Sequence, residues 1–177
     1  DGAGAVILEA KTSSTPIGIL AHKAQSDSLH YSNMLRMGRS YKPDYEAEGN
    51  HFLKMNGRKL YQYALENVPL AVKSCLDKAG ICLKDIQKVL IHQANGKMDE
   101  AILKRLFRLY GEKEIPADLM PMTIADLGNS SVATLPTLYD LLQKNKLEGQ
   151  TIHQGDTLLF TSVGAGMSIN ALVYRVA

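Results

Sequence analysis

Lys88-Val89-Leu90-Ile91-His92-Gln93-Ala94-Asn95 is a short apolar run that ends on a histidine followed by two amides. Its pattern predicts a buried strand over 88–91, with His92 at the carboxyl end. In open α/β sheets, ligands bind outside the carboxyl ends of strands. An imidazole placed there titrates near neutrality and suits acid–base work. The position equally suits a histidine held only by local backbone bonds, and this stretch alone leaves both readings open.

Helical periodicity flanks the strand on both sides. Upstream, Leu60, Ala64, Val68, Ala71, Val72, Cys75, Leu76 and Ala79 recur at helical spacing over 58–79, with Pro69 expected to kink or split the helix and Gly80 to stop it. Downstream, Met98, Ile102, Leu106 and Leu109 share one face of a helix over 97–110, ended by Gly111. Farther out, 3–9 reads as a buried strand and 17–24 as a paired strand. Residues 26–50 are polar and read as a long functional loop. Beyond a loop rich in Pro and Met over 115–126, Asn129 or Ser130 is expected to cap a third helix that reaches Lys144. Strands over 157–162 and 168–175 flank Gly164-Ala165-Gly166. The order β-β-α-β-α-α-β-β predicts an α/β fold with a mixed five-stranded sheet layered with helices.

The 177 residues are 45% hydrophobic and 21% charged, a composition that excludes disorder and suits one domain over 1–177. No stretch approaches the ~20 apolar residues of a membrane span. Twenty Lys and Arg against 18 Asp and Glu argue against a nucleic-acid binder, which would show a strong basic excess. Two cysteines cannot form a disulfide framework, and no His or Cys pair has metal-ligand spacing. A cytoplasmic setting is the resulting expectation. The opening Asp1-Gly2-Ala3-Gly4-Ala5-Val6-Ile7-Leu8 has neither a Met nor a polar lead-in, so a longer polypeptide carrying this piece is expected.

Asn129 lies 37 residues after His92. Its amide could hydrogen-bond a reacting carbonyl at a helix N-terminus, or it could simply cap that helix. Gly164-Ala165-Gly166 would let backbone approach a ligand, and serves equally as a tight hairpin turn. Cys75 falls on an apolar helix face and Cys82 in a turn between Ile81 and Leu83. Neither has the electropositive surroundings of a reactive thiol. Lys97, Lys104, Arg105 and Arg108 cluster on one helix against Asp99 and Glu100, either as a solvated face or as a dock for a phosphate or an acidic partner.

Taken in order, His92-Gln93-Ala94-Asn95, Gly128-Asn129-Ser130-Ser131-Val132-Ala133-Thr134-Leu135-Pro136, Gly155-Asp156 and Gly164-Ala165-Gly166-Met167 resemble the motifs of the 3-oxoacyl-[acyl-carrier-protein] synthase III family. Met55-Asn56-Gly57 resembles that family's Met-x-Gly segment before its long helix, and the opening Asp1-Gly2-Ala3-Gly4-Ala5 resembles a strand of the family. The resemblance implies the C-terminal half of a thiolase-like fold. It implies condensation of an acyl thioester with malonyl-[acyl carrier protein], with loss of carbon dioxide, by a Cys-His-Asn set. His92 and Asn129 match two members of that set. The nucleophilic Cys belongs to an N-terminal half, and neither Cys75 nor Cys82 matches it.

By the same resemblance, Ala165 offers an oxyanion N–H, and Gly57 and Asn95 line the pantetheine path. Lys97, Lys104 and Arg105 face acidic acyl carrier protein. Coenzyme A or phosphopantetheine thioesters are then substrates, with no resident cofactor or metal. The implied partners are acyl carrier protein, acyl-CoA, the chain's own N-terminal half and a second copy in a homodimer. The sequence departs from the family at Lys97, where Arg is usual, at Val163, and at Ile169-Asn170, where Trp-Gly is usual. A thiolase-fold acyltransferase acting on another nucleophile, and a catalytically silent subunit, remain as alternatives.

Overall fold

The computed structural model describes residues 2–43, 45 and 49–177. Its elements are β1 (Gly18–Ser26), α1 (Ser28–Tyr31), β2 (Leu35–Gly38), β3 (Phe52–Met55), α2 (Gly57–Ala79), β4 (Lys88–Ile91), α3 (Gly96–Leu109), α4 (Ile124–Leu127), α5 (Thr134–Gln143), β5 (Thr157–Gly164) and β6 (Ser168–Arg175). Four strands form one mixed sheet in the order β1-β6-β5-β4, in which only β4 and β5 run parallel.

Strand alternation assigns the two faces. Val89, Ile91, Leu159, Ile169, Ala171 and Val173 point toward α2 and α3 and share their core. Leu90 and Leu158 point the other way, onto Leu138 and Leu142 of α5. Both faces of β4 are therefore covered, and all four of its residues are buried, as expected of a strand inside an α/β sandwich. Lys88 reaches out from this burial to Asp118, at 2.8 Å from its carbonyl and 3.1 Å from its carboxylate.

Several expectations are corrected. The sheet has four strands among the described residues, not five, because 3–9 pairs with nothing and is exposed. Ile7 is 97% exposed. The segment rides over the start of α5, where an added Cβ on Gly4 would lie 2.6 Å from Pro136, and this contact takes the place of a sheet edge. Residues 26–50 are not one structureless loop. They contain α1, a 3₁₀ turn over Ser32–Met34, and β2, which pairs antiparallel with β3; Asp44 and residues 46–48 of that stretch, like Asp1, lie outside the described residues.

Pro69 does not split α2, which runs unbroken for 23 residues and ends on left-handed Gly80. Proline removes one backbone bond, while Val68, Pro69 and Val72 are all buried on the sheet side. Leu109 is exposed, and the buried stripe of α3 instead adds Leu103 and Phe107 to Met98, Ile102 and Leu106. Among the described residues no helix is long and apolar enough to cross a membrane.

Candidate active site

His92 directly follows β4, and its N–H donates to Thr161 O at 3.0 Å, so the β4–β5 ladder carries it to the end of the sheet. Its imidazole is partly buried. Burial pushes its pKa below the ordinary histidine value, with the Ser131 backbone acting in the opposite sense. Burial thus favours the neutral ring over the charged one.

The turn across from it is built by short polar side chains. Asn129 Oδ1 accepts from Ser131 N–H at 2.9 Å, and Ser131 takes a left-handed φ of 53°. This Asx-type bond turns the chain away from helix, which is why α5 starts at Thr134, after a 3₁₀ turn over Ser131–Ala133, and not at an Asn129 or Ser130 cap. Asn129 is exposed, and with its oxygen engaged its amide N–H₂ has no hydrogen-bond partner among the described residues. Thr134 joins the two halves of the site. Its hydroxyl donates to Ser131 O at 2.9 Å and its oxygen lies 3.4 Å from His92 Nδ1. His92 and Asn129 thus meet at one end of the sheet through the Ser130–Thr134 turn, with no direct hydrogen bond between them.

Two residues of this architecture escaped the sequence reading. Thr134 is one. The other is the side-chain role of Gln93, which is 1% exposed. Its amide donates to Pro121 O at 2.9 Å and its oxygen accepts from Thr123 N–H at 2.8 Å. These bonds pin the 121–123 loop beside the histidine. A buried amide directly after a strand must find partners, and that was the available signal.

The remaining candidates are spread around this end. Gly164 and Ala165 are exposed at the β5–β6 turn, three and four residues beyond the Thr161 that pairs with His92 N–H. Asn95 caps α3, its Oδ1 accepting from Lys97 N–H at 3.1 Å and Met98 N–H at 3.3 Å. Gly57 begins α2 and lines a cavity of about 360 Å³ with Asn33, Arg36, Tyr41 and Lys54. Lys97, Lys104 and Arg105 are exposed on α3, and Lys104 lies 3.7 Å from Glu100. Cys75 is buried and raised in pKa by that burial, while Cys82 is exposed. Among the described residues no three His, Cys, Asp or Glu side chains are grouped to hold a metal.

Residues 76–176, more than half of the chain, match the family described as 3-Oxoacyl-[acyl-carrier-protein (ACP)] synthase III C terminal. The chain belongs to the 3-oxoacyl-[acyl-carrier-protein] synthase III family. Beta-ketoacyl-[acyl-carrier-protein] synthase III of Acaryochloris marina is 32% identical over 187 residues, covering 99% of this chain and 50% of that protein. The Cereibacter sphaeroides protein of the same name is 32% identical over 178 residues, with the same coverage. The chain spans about half the length of the curated relatives it matches. The fold is thiolase-like. 3-Oxoacyl-(acyl carrier protein) synthase III from Pseudomonas aeruginosa superposes with a TM-score of 0.74 at 21% identity, over 94% of this chain and 47% of that one. The priming beta-ketosynthase of the R1128 polyketide pathway superposes at 0.72 with 25% identity, over 93% and 46%.

Proposed function

We propose that this chain supplies the C-terminal half-site of an enzyme that condenses an acyl thioester with malonyl-[acyl carrier protein]. The observation that carries this reading is the partly buried His92 imidazole at the carboxyl end of β4, facing the turn that engages the Asn129 side-chain oxygen and leaves its amide N–H₂ exposed. In the reaction, a Cys thiolate from the N-terminal half takes the acyl group from its thioester. Malonyl thioester then loses its carboxylate as carbon dioxide, and the electron pair of that bond forms an enolate. Neutral donors stabilise the enolate oxygen without transferring a full proton to it. His92 Nε2–H and the Asn129 amide are those donors. The Nε2–H tautomer requires the Thr134 hydroxyl hydrogen, which here goes to Ser131 O, to turn onto His92 Nδ1. The enolate carbon attacks the acyl carbonyl and the thiolate leaves; the Ala165 N–H receives the oxyanion on the acyl carbonyl both in this step and in the earlier acyl transfer to the Cys.

Coenzyme A or phosphopantetheine thioesters enter as substrates past Gly57 and Asn95, and the chemistry calls on no resident cofactor. Lys97, Lys104 and Arg105 dock the acidic carrier protein. A cytoplasmic setting and a homodimer belong to the same reading. The isolated 177 residues then lack the nucleophile and do not condense substrates. In the full-length enzyme, His92→Ala and Asn129→Ala should each slow malonyl decarboxylation by on the order of 100- to 1,000-fold, the usual cost of one donor to developing charge. Acyl transfer to the Cys should be largely spared. Normal decarboxylation in both variants would overturn the assignment of these residues.

A further inference from the structure

The turn over 164–167 is held from behind by side chains that the proposed chemistry does not use. Gly166 and Met167 both have left-handed backbone, at φ 73° and 49°, and that conformation is strained for methionine. Met167 is fully buried, and its carbonyl meets two donors from outside the β5–β6 hairpin. Asp27 N–H donates to it at 3.2 Å, and the Tyr63 hydroxyl lies 3.2 Å from it. The same hydroxyl lies 2.5 Å from Asp27 Oδ2, which also accepts from Gln25 Nε2 at 3.0 Å. One phenolic hydrogen faces two oxygens, so the bond is three-centred, with the carboxylate arm the shorter. Ser26 Oγ adds a bond to Gly166 O at 3.4 Å.

The charge states keep this arrangement fixed in direction. The Tyr63 and Gln25 hydrogen bonds hold the Asp27 carboxyl below its ordinary range. Burial, followed by the Asp27 bond, pushes the Tyr63 phenol upward. Asp27 accepts and Tyr63 donates throughout the neutral range. Tyr63 is 5% exposed and packs its ring 5.3 Å from that of Tyr31, so the donor is itself locked in place.

We propose that Tyr63 and Asp27 are positioning residues that aim the Ala165 N–H by clamping the Met167 carbonyl two residues downstream. The proposal rests on the reading of Ala165 as donor to the acyl oxyanion. Without the clamp, Met167 can relax toward ordinary backbone, which rotates the peptides before it and swings the N–H away. An oxyanion donor acts only when fixed at the place where charge develops, and small misplacements are costly in rate.

The test uses the full-length enzyme and measures acyl transfer to the nucleophile apart from malonyl decarboxylation. Tyr63→Phe keeps the ring and removes the hydroxyl. It should slow acyl transfer ~10-fold, leave KM for the acyl thioester within about twofold, and leave decarboxylation unchanged. Asp27→Asn should behave alike, and the double variant should be no slower than either single one, as for residues that act as a unit. Equal slowing of both half-reactions, additive losses, or no slowing overturns the proposal.

A dithioester acyl donor, with sulfur in place of the carbonyl oxygen, separates the two levels. If the wild type transfers it as readily as the oxygen form, the reading of Ala165 fails. If the wild type discriminates and Tyr63→Phe discriminates equally, Ala165 stands and the clamp is wrong. The expected result is reduced discrimination in Tyr63→Phe.

Discussion

Asp99 sits one turn into α3 with no exposure to solvent, and neither carboxyl oxygen has a hydrogen-bond partner among the described residues. Burial, reinforced by the neighbouring Glu100 charge, raises its pKa from 3.8 to about 7. The folded state therefore keeps a proton that the unfolded chain releases above about pH 4. Fewer protons on the unfolded state make stability fall as pH rises. The loss should run from about pH 4 to about pH 7 and level off above it. Asp99→Asn removes the titration, so denaturant midpoints of wild type and variant should diverge across that window. By pH 8 the variant should be the more stable by on the order of 4 kcal/mol. Parallel pH profiles would show that Asp99 ionises normally. The sequence placed Asp99 among the charges of a solvated face, because a single acidic residue beside Glu100 carries no sign of which way the helix is turned.

At the scale of elements, α3 shows how a motif residue can serve the fold. Asn95 Oδ1 satisfies two of the first N–H groups of the helix, which have no partner within the helix itself. Asn95→Ala should lower stability by about 1 kcal/mol in urea denaturation, and Asn95→Ser should recover most of it. A pantetheine role predicts a raised KM for both variants in the full-length enzyme, so the capping and binding contributions separate. Strand β4 and helices α2 and α3 were legible within a residue or two, because continuous apolar runs and helical periodicity report burial directly. The β2–β3 pair was not. Its strands carry only four residues each, too few for alternation to stand out from a polar stretch.

The whole molecule sets the charges of α3 against its surroundings. The apolar stripe of Met98, Ile102 and Leu106 is buried against the core, and Lys97, Lys104 and Arg105 are turned outward, on the helix that begins four residues after His92. Opposite charges steer association and act mainly on encounter rate. In the full-length enzyme, Lys97→Glu with Arg105→Glu should raise the apparent KM for the carrier-protein substrate severalfold. The effect should shrink as salt rises. Turnover of a small malonyl thioester that needs no docking should stay nearly unchanged. Equal loss on both substrates would point to a folding defect or a chemical role.

The sequence alone determined the α/β class, the strand that ends on His92 and the family motifs. Each is written in local periodicity or in residue types adjacent along the chain. Tertiary structure decided what depends on contacts between distant segments. It placed Thr134 between His92 and the Asn129 turn. It drew Asp27 and Tyr63 onto the carbonyl of Met167. It left 3–9 unpaired over α5. An apolar run such as Val6-Ile7-Leu8 has the same strand propensity wherever it lies. Whether it is buried depends on a sheet edge within reach, and that is a property of the assembled chain.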